Sequence, residues 1–202
     1  ASEIDAGDEY RVGNTTLLTV ESVKSYKTAE PGQRRVVLGV NALARTQGGN
    51  LVFGDQPITT GAKLPVRTAA YSLQGEIVNI GTLSEPGDPV TLSLTVQASN
   101  LPPERVAPIQ EGSVEEAGDL GIAEVTAVET APAEEIVRSG NEYVSVEHPS
   151  NLDVTVQTSI QAYEMPDGTL RFRGEPLRLG EEITFWFDSA RITGQVTDLE
   201  AA

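Results

Sequence analysis

Cysteine is absent from the chain, which excludes disulfides, thiolate metal sites and cysteine nucleophiles and leaves the redox compartment open. Histidine occurs once, at His148, so histidine-rich zinc and iron sites are excluded by number. Lysine is nearly as scarce: Lys24, Lys27 and Lys63 are the only ones among fourteen basic residues, against thirty acids. The formal charge of −16 argues against a nucleic-acid partner, because such binding needs Lys and Arg to displace counterions from phosphate. No apolar run approaches the roughly 18 residues of a membrane span, and the opening ASEIDAGDEY lacks a basic-then-apolar leader pattern. A soluble chain is expected, with any leader or membrane anchor upstream of Ala1.

What is present is an acidic surface over a modest core. Hydrophobic residues make up 39% of 202 residues and are spread along the chain, enough for one large or two ordinary domains without staples. Self-repulsion at this charge is tolerated when concentrated salt screens it, so the surface reads as salt-adapted, with an acidic protein of ordinary habitat as the alternative.

The punctuation of the chain repeats. Residues 51–80 align without a gap to 170–199: Leu51, Phe53, Pro57, Gly61 and Gly75 recur as Leu170, Phe172, Pro176, Gly180 and Gly194. Between them Ile58, Leu64, Val66, Leu73, Ile77 and Ile80 meet Leu177, Ile183, Phe185, Ile192, Val196 and Leu199. A second block matches Ile4, Gly7, Val20 and Val23 to Ile109, Gly112, Val125 and Val128. Alternating apolar positions, such as Val36, Leu38, Val40 and Ala42 against Val154, Val156, Thr158 and Ile160, give half-buried strands. Gln47-Gly48-Gly49-Asn50 and Pro166-Asp167-Gly168 read as hairpin turns. The fold class expected is all-β, two tandem β-sandwich or barrel-like domains from an internal duplication. The first repeat covers 1–82, a linker with a strand at 90–96 covers 83–105, and the second repeat covers 106–202 with an inserted loop at about 129–151. Short helical turns are expected at 101–106, opened by two prolines, and within the insertion at 133–138. Ala1 aligns with Val106, so the 90–96 strand has no counterpart before Ile4. If the first repeat has lost its opening strand, a sheet edge is exposed. A removed upstream segment, the 90–96 strand itself or a strand from a neighbouring subunit would then answer it.

Three features carry a family resemblance: Ile4-Asp5-Ala6-Gly7-Asp8 with Ile109-Gln110-Glu111-Gly112-Ser113, a following strand like Leu18-Thr19-Val20, and Phe172-Arg173-Gly174-Glu175-Pro176-Leu177-Arg178-Leu179-Gly180. Together these resemble the membrane-anchored haloarchaeal domain-of-unknown-function family 4330, present here as two tandem copies. The first copy departs from the signature, since Phe53-Gly54-Asp55-Gln56-Pro57-Ile58-Thr59-Thr60-Gly61 lacks the Gly in phase and both leucines. The resemblance implies a membrane-proximal or exported location, a short upstream transmembrane helix and no known activity, and it supplies no catalytic residues.

Few residues are candidates for chemistry. No nucleophile elbow, phosphate loop or dinucleotide glycine pattern occurs, and His148 in Glu147-His148-Pro149-Ser150 reads as a solvated loop residue rather than a general base. The chain is not expected to be an enzyme. Glu111, Glu115, Glu116 and Asp119 offer carboxylate oxygens of the kind calcium takes, but without the spacing of a calcium-binding loop. The expected cofactor is none, with calcium as the alternative. Arg171, Arg173, Arg178 and Arg191 gather in the second copy, where the first has Val52, Gly54, Thr59 and Ser72. They mark either an anionic or partner surface or cross-strand pairing with Glu175, Glu182 or Asp188. Trp186, flanked by Phe185 and Phe187, points to the face opposite theirs, covered either by the other copy or by a ligand or partner. Asn14-Thr15-Thr16 is a glycosylation sequon.

The residues common to both copies are Gly, Pro and apolar, the types that fix folds. The expected function is therefore a non-enzymatic, exported cell-surface or cell-envelope protein with a structural or assembly role. Partners would be further copies or another envelope protein, with no nucleic acid, and membrane contact would run only through an upstream anchor. The alternative is a membrane-tethered extracellular binding module using Trp186 and the arginines.

Overall fold

The computed structural model describes residues 4–201 except 82, 84, 85, 119, 140, 141 and 189. Alternating apolar and polar residues run almost throughout, and the described chain is nearly all β, with one four-residue helix. Its contacts fall into two units, Ala1–Ser25 with Val36–Pro86, and Tyr26–Arg35 with Gly87–Ala202.

In the first unit β1 (Glu9–Val12) turns at Gly13, whose φ of +60° suits glycine, into β2 (Thr15–Lys27), and β3 (Arg34–Ala42) lies on the other side of β2. A meander of β4 (Arg45–Gln47), β5 (Asn50–Phe53) and β6 (Gln56–Pro57) follows, then the hairpin β7 (Lys63–Arg67) and β8 (Ser72–Glu76). The core is small: Leu18, Val20, Phe53 and Val66 are buried, while Leu38, Val40, Leu64 and Leu73 pack against them only half-covered.

The second unit opens with β9 (Asp88–Leu101) and α1 (Pro103–Val106), which has proline in its first turn, where no amide partner is lost. Next come β10 (Val114–Ala117), β11 (Leu120–Ser139), β12 (Glu142–Glu164), β13 (Leu170–Phe172), β14 (Glu175–Pro176), β15 (Glu182–Trp186) and β16 (Arg191–Ala201). One sheet runs β10-β11-β12-β9-β16-β15, nearly closed and barrel-like, with β13 paired to β12 and β14. Far from linking two domains, β9 is central, antiparallel to β12 on one side and β16 on the other. It sends Leu92, Leu94, Val96 and Ala98 into the core against Val125, Val154, Val156, Ile160, Phe185 and Val196. Each such large side chain, fully buried, contributes about 1.5–3 kcal/mol.

Pairings recur between the units at constant spacings. Glu9 faces Thr19 and Tyr10 faces Leu18 before a bulge shifts Arg11 to Thr16. Val114 faces Glu124 and Glu115 faces Ala123 before the same bulge shifts Glu116 to Gly121. Val52–Pro57 and Phe53–Gln56 in the meander correspond to Arg171–Pro176 and Phe172–Glu175. Lys63–Glu76 through Arg67–Ser72 correspond to Glu182–Gln195 through Trp186–Arg191. Loop bonds follow suit: Gly61 N–H donates to Ile77 O and Gly180 N–H to Val196 O, both at 2.8 Å.

The inserted stretch corrects the expectation of a loop with a helical turn at 133–138. β11 and β12 continue through it as a ribbon, pairing Glu134–Glu147 up to Ser139–Glu142. Ala, Glu and Arg there have helical preference, but Ile136, Val137, Tyr143, Val144 and Val146 favour strands, and the cross-strand ladder, which bonds alternate residue pairs, holds the extended form.

Candidate functional site

The second unit gathers most of the sequence candidates around β15. Successive residues of a strand face opposite sides: Phe185 and Phe187 stack in the core with ring centroids 5.5 Å apart, and Trp186 emerges on the other side, half-buried. The segment Tyr26–Arg35, which the sequence assigns to the first repeat, belongs to this unit and covers that face. Trp186 Nε1 donates to Thr28 O at 3.1 Å. Arg191, opposite Trp186 in the ladder, lays its guanidinium 4.6 Å from the indole centroid and donates through Nη2 to Ala29 O at 2.9 Å. The indole and the arginine thus fasten the segment together, as a cation–π stack bonded to two adjacent backbone carbonyls.

Arg173 is held more deeply. Its Nη1 donates to Glu115 Oε1 at 2.9 Å and its Nη2 to Thr184 O at 2.9 Å, while the guanidinium sits 4.6 Å from the Phe172 ring centroid. Glu115, 1% exposed, also accepts the Trp186 amide through Oε2 at 3.1 Å. Both carboxylate oxygens are therefore satisfied, as a buried charge requires. Arg173 has φ +54°, a left-handed conformation costing an L residue about 1–2 kcal/mol. The corresponding Gly54 has φ +61°. The arginine partners differ from those expected: Arg173 takes Glu115, Arg178 meets Glu181 at 3.6 Å on the surface, and Glu175 receives Arg35. Arg171 Nε and Arg191 Nε are shielded without an acceptor among the described residues. In the turn before Arg171, the Thr169 amide, donating at 2.9 Å, holds the Asp167 carboxyl below its usual range.

An open cleft of about 360 Å³ is lined in part by Lys27, Arg35, Arg173, Glu30, Glu175 and Glu182. Three cations and three anions leave it no net sign, and Arg173 and Arg35 are already engaged. His148 lies elsewhere, on the ribbon, where its Nδ1 accepts the Ser150 and Asn151 amides at 3.2 and 2.9 Å.

No family model, curated protein or solved structure matches the chain.

The acidic cluster is split by its strand. Glu115 is turned into the core while Glu111 and Glu116 are exposed, and Asp119 lies outside the described residues. Among the described residues no three carboxylates or histidines gather as metal ligands. Asn14 is exposed in the β1–β2 turn, open to modification. Sequence reasoning missed the covering segment Tyr26–Arg35 and the inward Glu115. No sequence signal marks either, because a lone Glu in a strand ordinarily faces solvent.

Proposed function

We propose that the protein is a non-enzymatic structural or assembly element of the cell surface, two barrel-like domains in tandem descended from one duplicated unit. The observation that carries this is what recurs and what does not. Strand registers, bulge and turn bonds repeat between the units, down to the turn in which Asp8 Oδ2 accepts the Asp5 amide and Ser113 Oγ the Gln110 amide, whereas the buried Arg173–Glu115 pair and the Trp186–Arg191 stack have no counterpart in the first unit. The residues best suited to bind a ligand are consumed within the second unit, Trp186 and Arg191 on the Tyr26–Arg35 segment and Arg173 on Glu115. Duplication kept the fold and added no shared chemistry. An exported location with an upstream anchor, as the family resemblance implies, suits the exposed sequon at Asn14 and the acidic surface. Further copies or other envelope proteins are the partners this reading names.

The test is the stability of Trp186→Ala and Glu115→Gln in the full chain. If these groups serve the fold, both variants lower the urea midpoint. The Glu115 change would cost about 3–5 kcal/mol, because it leaves Arg173 buried without its counter-charge. Wild-type stability in both would return Trp186 and the arginines to the role of a ligand-binding surface.

A further inference from the structure

Among the described residues the first unit has no counterpart of β9, the strand that completes the sheet of the second. In the second unit β9 lies between β12 and β16. The matching strands of the first unit are β3 and β8, and among the described residues no strand pairs with the second edge of either. The consequences show in the side chains. Val154, Val156 and Ile160 on β12, and Ile192 and Val196 on β16, are sealed in the core. Their counterparts Val36, Leu38, Ala42, Leu73 and Ile77 are half-buried or, for Val36, exposed. The glycines are sharper still. A Cβ built on Gly194 would stand 2.4 Å from Gln97 O and 2.7 Å from Val96 Cγ1, both on β9. A Cβ built on Gly75, at the same place in the β7–β8 hairpin, meets nothing within 4 Å.

We propose that the first unit is a strand acceptor: an extended, uncharged strand from a partner protein, apolar at alternate positions, inserts between β3 and β8 as β9 does between β12 and β16. The proposal rests on the duplication reading. β9 is the template for the occupant. It presents Leu92, Leu94, Val96 and Ala98 to the core and carries no charged residue from Pro89 to Leu101. Backbone hydrogen bonds to two open edges supply affinity, and the alternate apolar side chains set register. A second copy is the poorer source, because its own β9 is held in its own sheet and two chains of charge −16 repel one another. A neutral strand on a separate protein meets neither obstacle.

The experiment adds a synthetic peptide of β9, Asp88–Leu101, to the full chain and follows amide hydrogen exchange by segment. A second peptide carries Asp at the positions of Leu92, Leu94 and Val96. Only the first should bind. At about a hundred times its dissociation constant it should slow exchange about a hundredfold in β3 and β8. Gly75→Val, whose Cβ meets nothing within 4 Å in the free protein, should fold with a urea midpoint no lower than wild type and lose that protection, because its side chain fills the place of the incoming backbone. No binding, or binding that survives Gly75→Val, overturns the proposal, the latter placing the peptide outside the slot beside Gly75. A dimer that the peptide dissolves gives the slot to a second copy and overturns the separate partner. The peptide-free chain distinguishes failure of the duplication reading: that reading requires slow exchange at the Gly7 and Gly61 amides, bonded to Val20 and Ile77 carbonyls. Fast exchange there sinks both readings, whereas slow exchange without peptide binding sinks the slot alone.

Discussion

Gly75 and Gly194 hold one place in two matching hairpins, yet a methyl group added at each meets different surroundings. At Gly194 it collides with the β9 backbone, so Gly194→Ala should lower unfolding stability by about 1–3 kcal/mol, the usual cost of overpacking. At Gly75 it enters open space at an ordinary strand conformation. Gly75→Ala should be neutral or stabilise by about 0.4–1 kcal/mol through the unfolded chain. Urea unfolding of both variants decides, and equal losses would refute the difference between the sites. Tyr71 gives a second residue-scale test. Its phenol oxygen is shielded, and no acceptor among the described residues meets hydrogen-bond geometry, although Asp8 stands near. Burial first, then the Asp8 carboxylate, push the phenol from 10.0 up to about 12. The folded state therefore disfavours the phenolate. Its contribution to stability is whole below pH 10 and is lost as pH rises through about 12. Wild type should lose stability across that window more steeply than Tyr71→Phe, and parallel curves would contradict the shielding.

Among the described residues the strands of the ribbon beyond Pro132 pair only with each other. Ile136 and Tyr143 are largely exposed and Val144 and Val146 partly so, outside the core cluster. Replacing residues 135–146 with a two-residue turn should move the thermal midpoint by no more than a few degrees, about 1 kcal/mol for a domain of this size. Loss of cooperative unfolding would show that the ribbon belongs to the core. Much at this scale was legible in the sequence, because Gly and Pro fix turns and a period of two fixes faces. Gly61, Gly180 and the alternation along β12 and β16 carry their structure openly. Periodicity does not say which strands are neighbours, so β9 read as a linker although it is the centre of its sheet. Local preference misled at 133–138, where Ala, Glu and Arg suit a helix until pairing with 142–147 outweighs them. The Arg173–Glu115 pair was illegible for a related reason: its partners are far apart in sequence, and the neighbours of Glu115 do not tell that it faces the buried Ala123.

For the whole molecule, its charge and the duplication proposed for its two units are the matters to test. Thirty acids against fourteen bases repel until salt shortens the screening length to about 3 Å near molar strength, so the thermal midpoint should climb between low and molar NaCl. A flat or falling midpoint would remove the salt-adapted reading. Repetition is tested by the registers themselves. Cross-strand Hα–Hα contacts measured by nuclear magnetic resonance on the isotope-labelled chain read them one pair at a time. The account predicts Tyr10–Leu18 with Glu115–Ala123, each followed by a bulge, and Leu64–Gly75 with Ile183–Gly194. A one-residue shift in one member of either set, turning its side chains to the opposite face, would contradict descent of the two units from one.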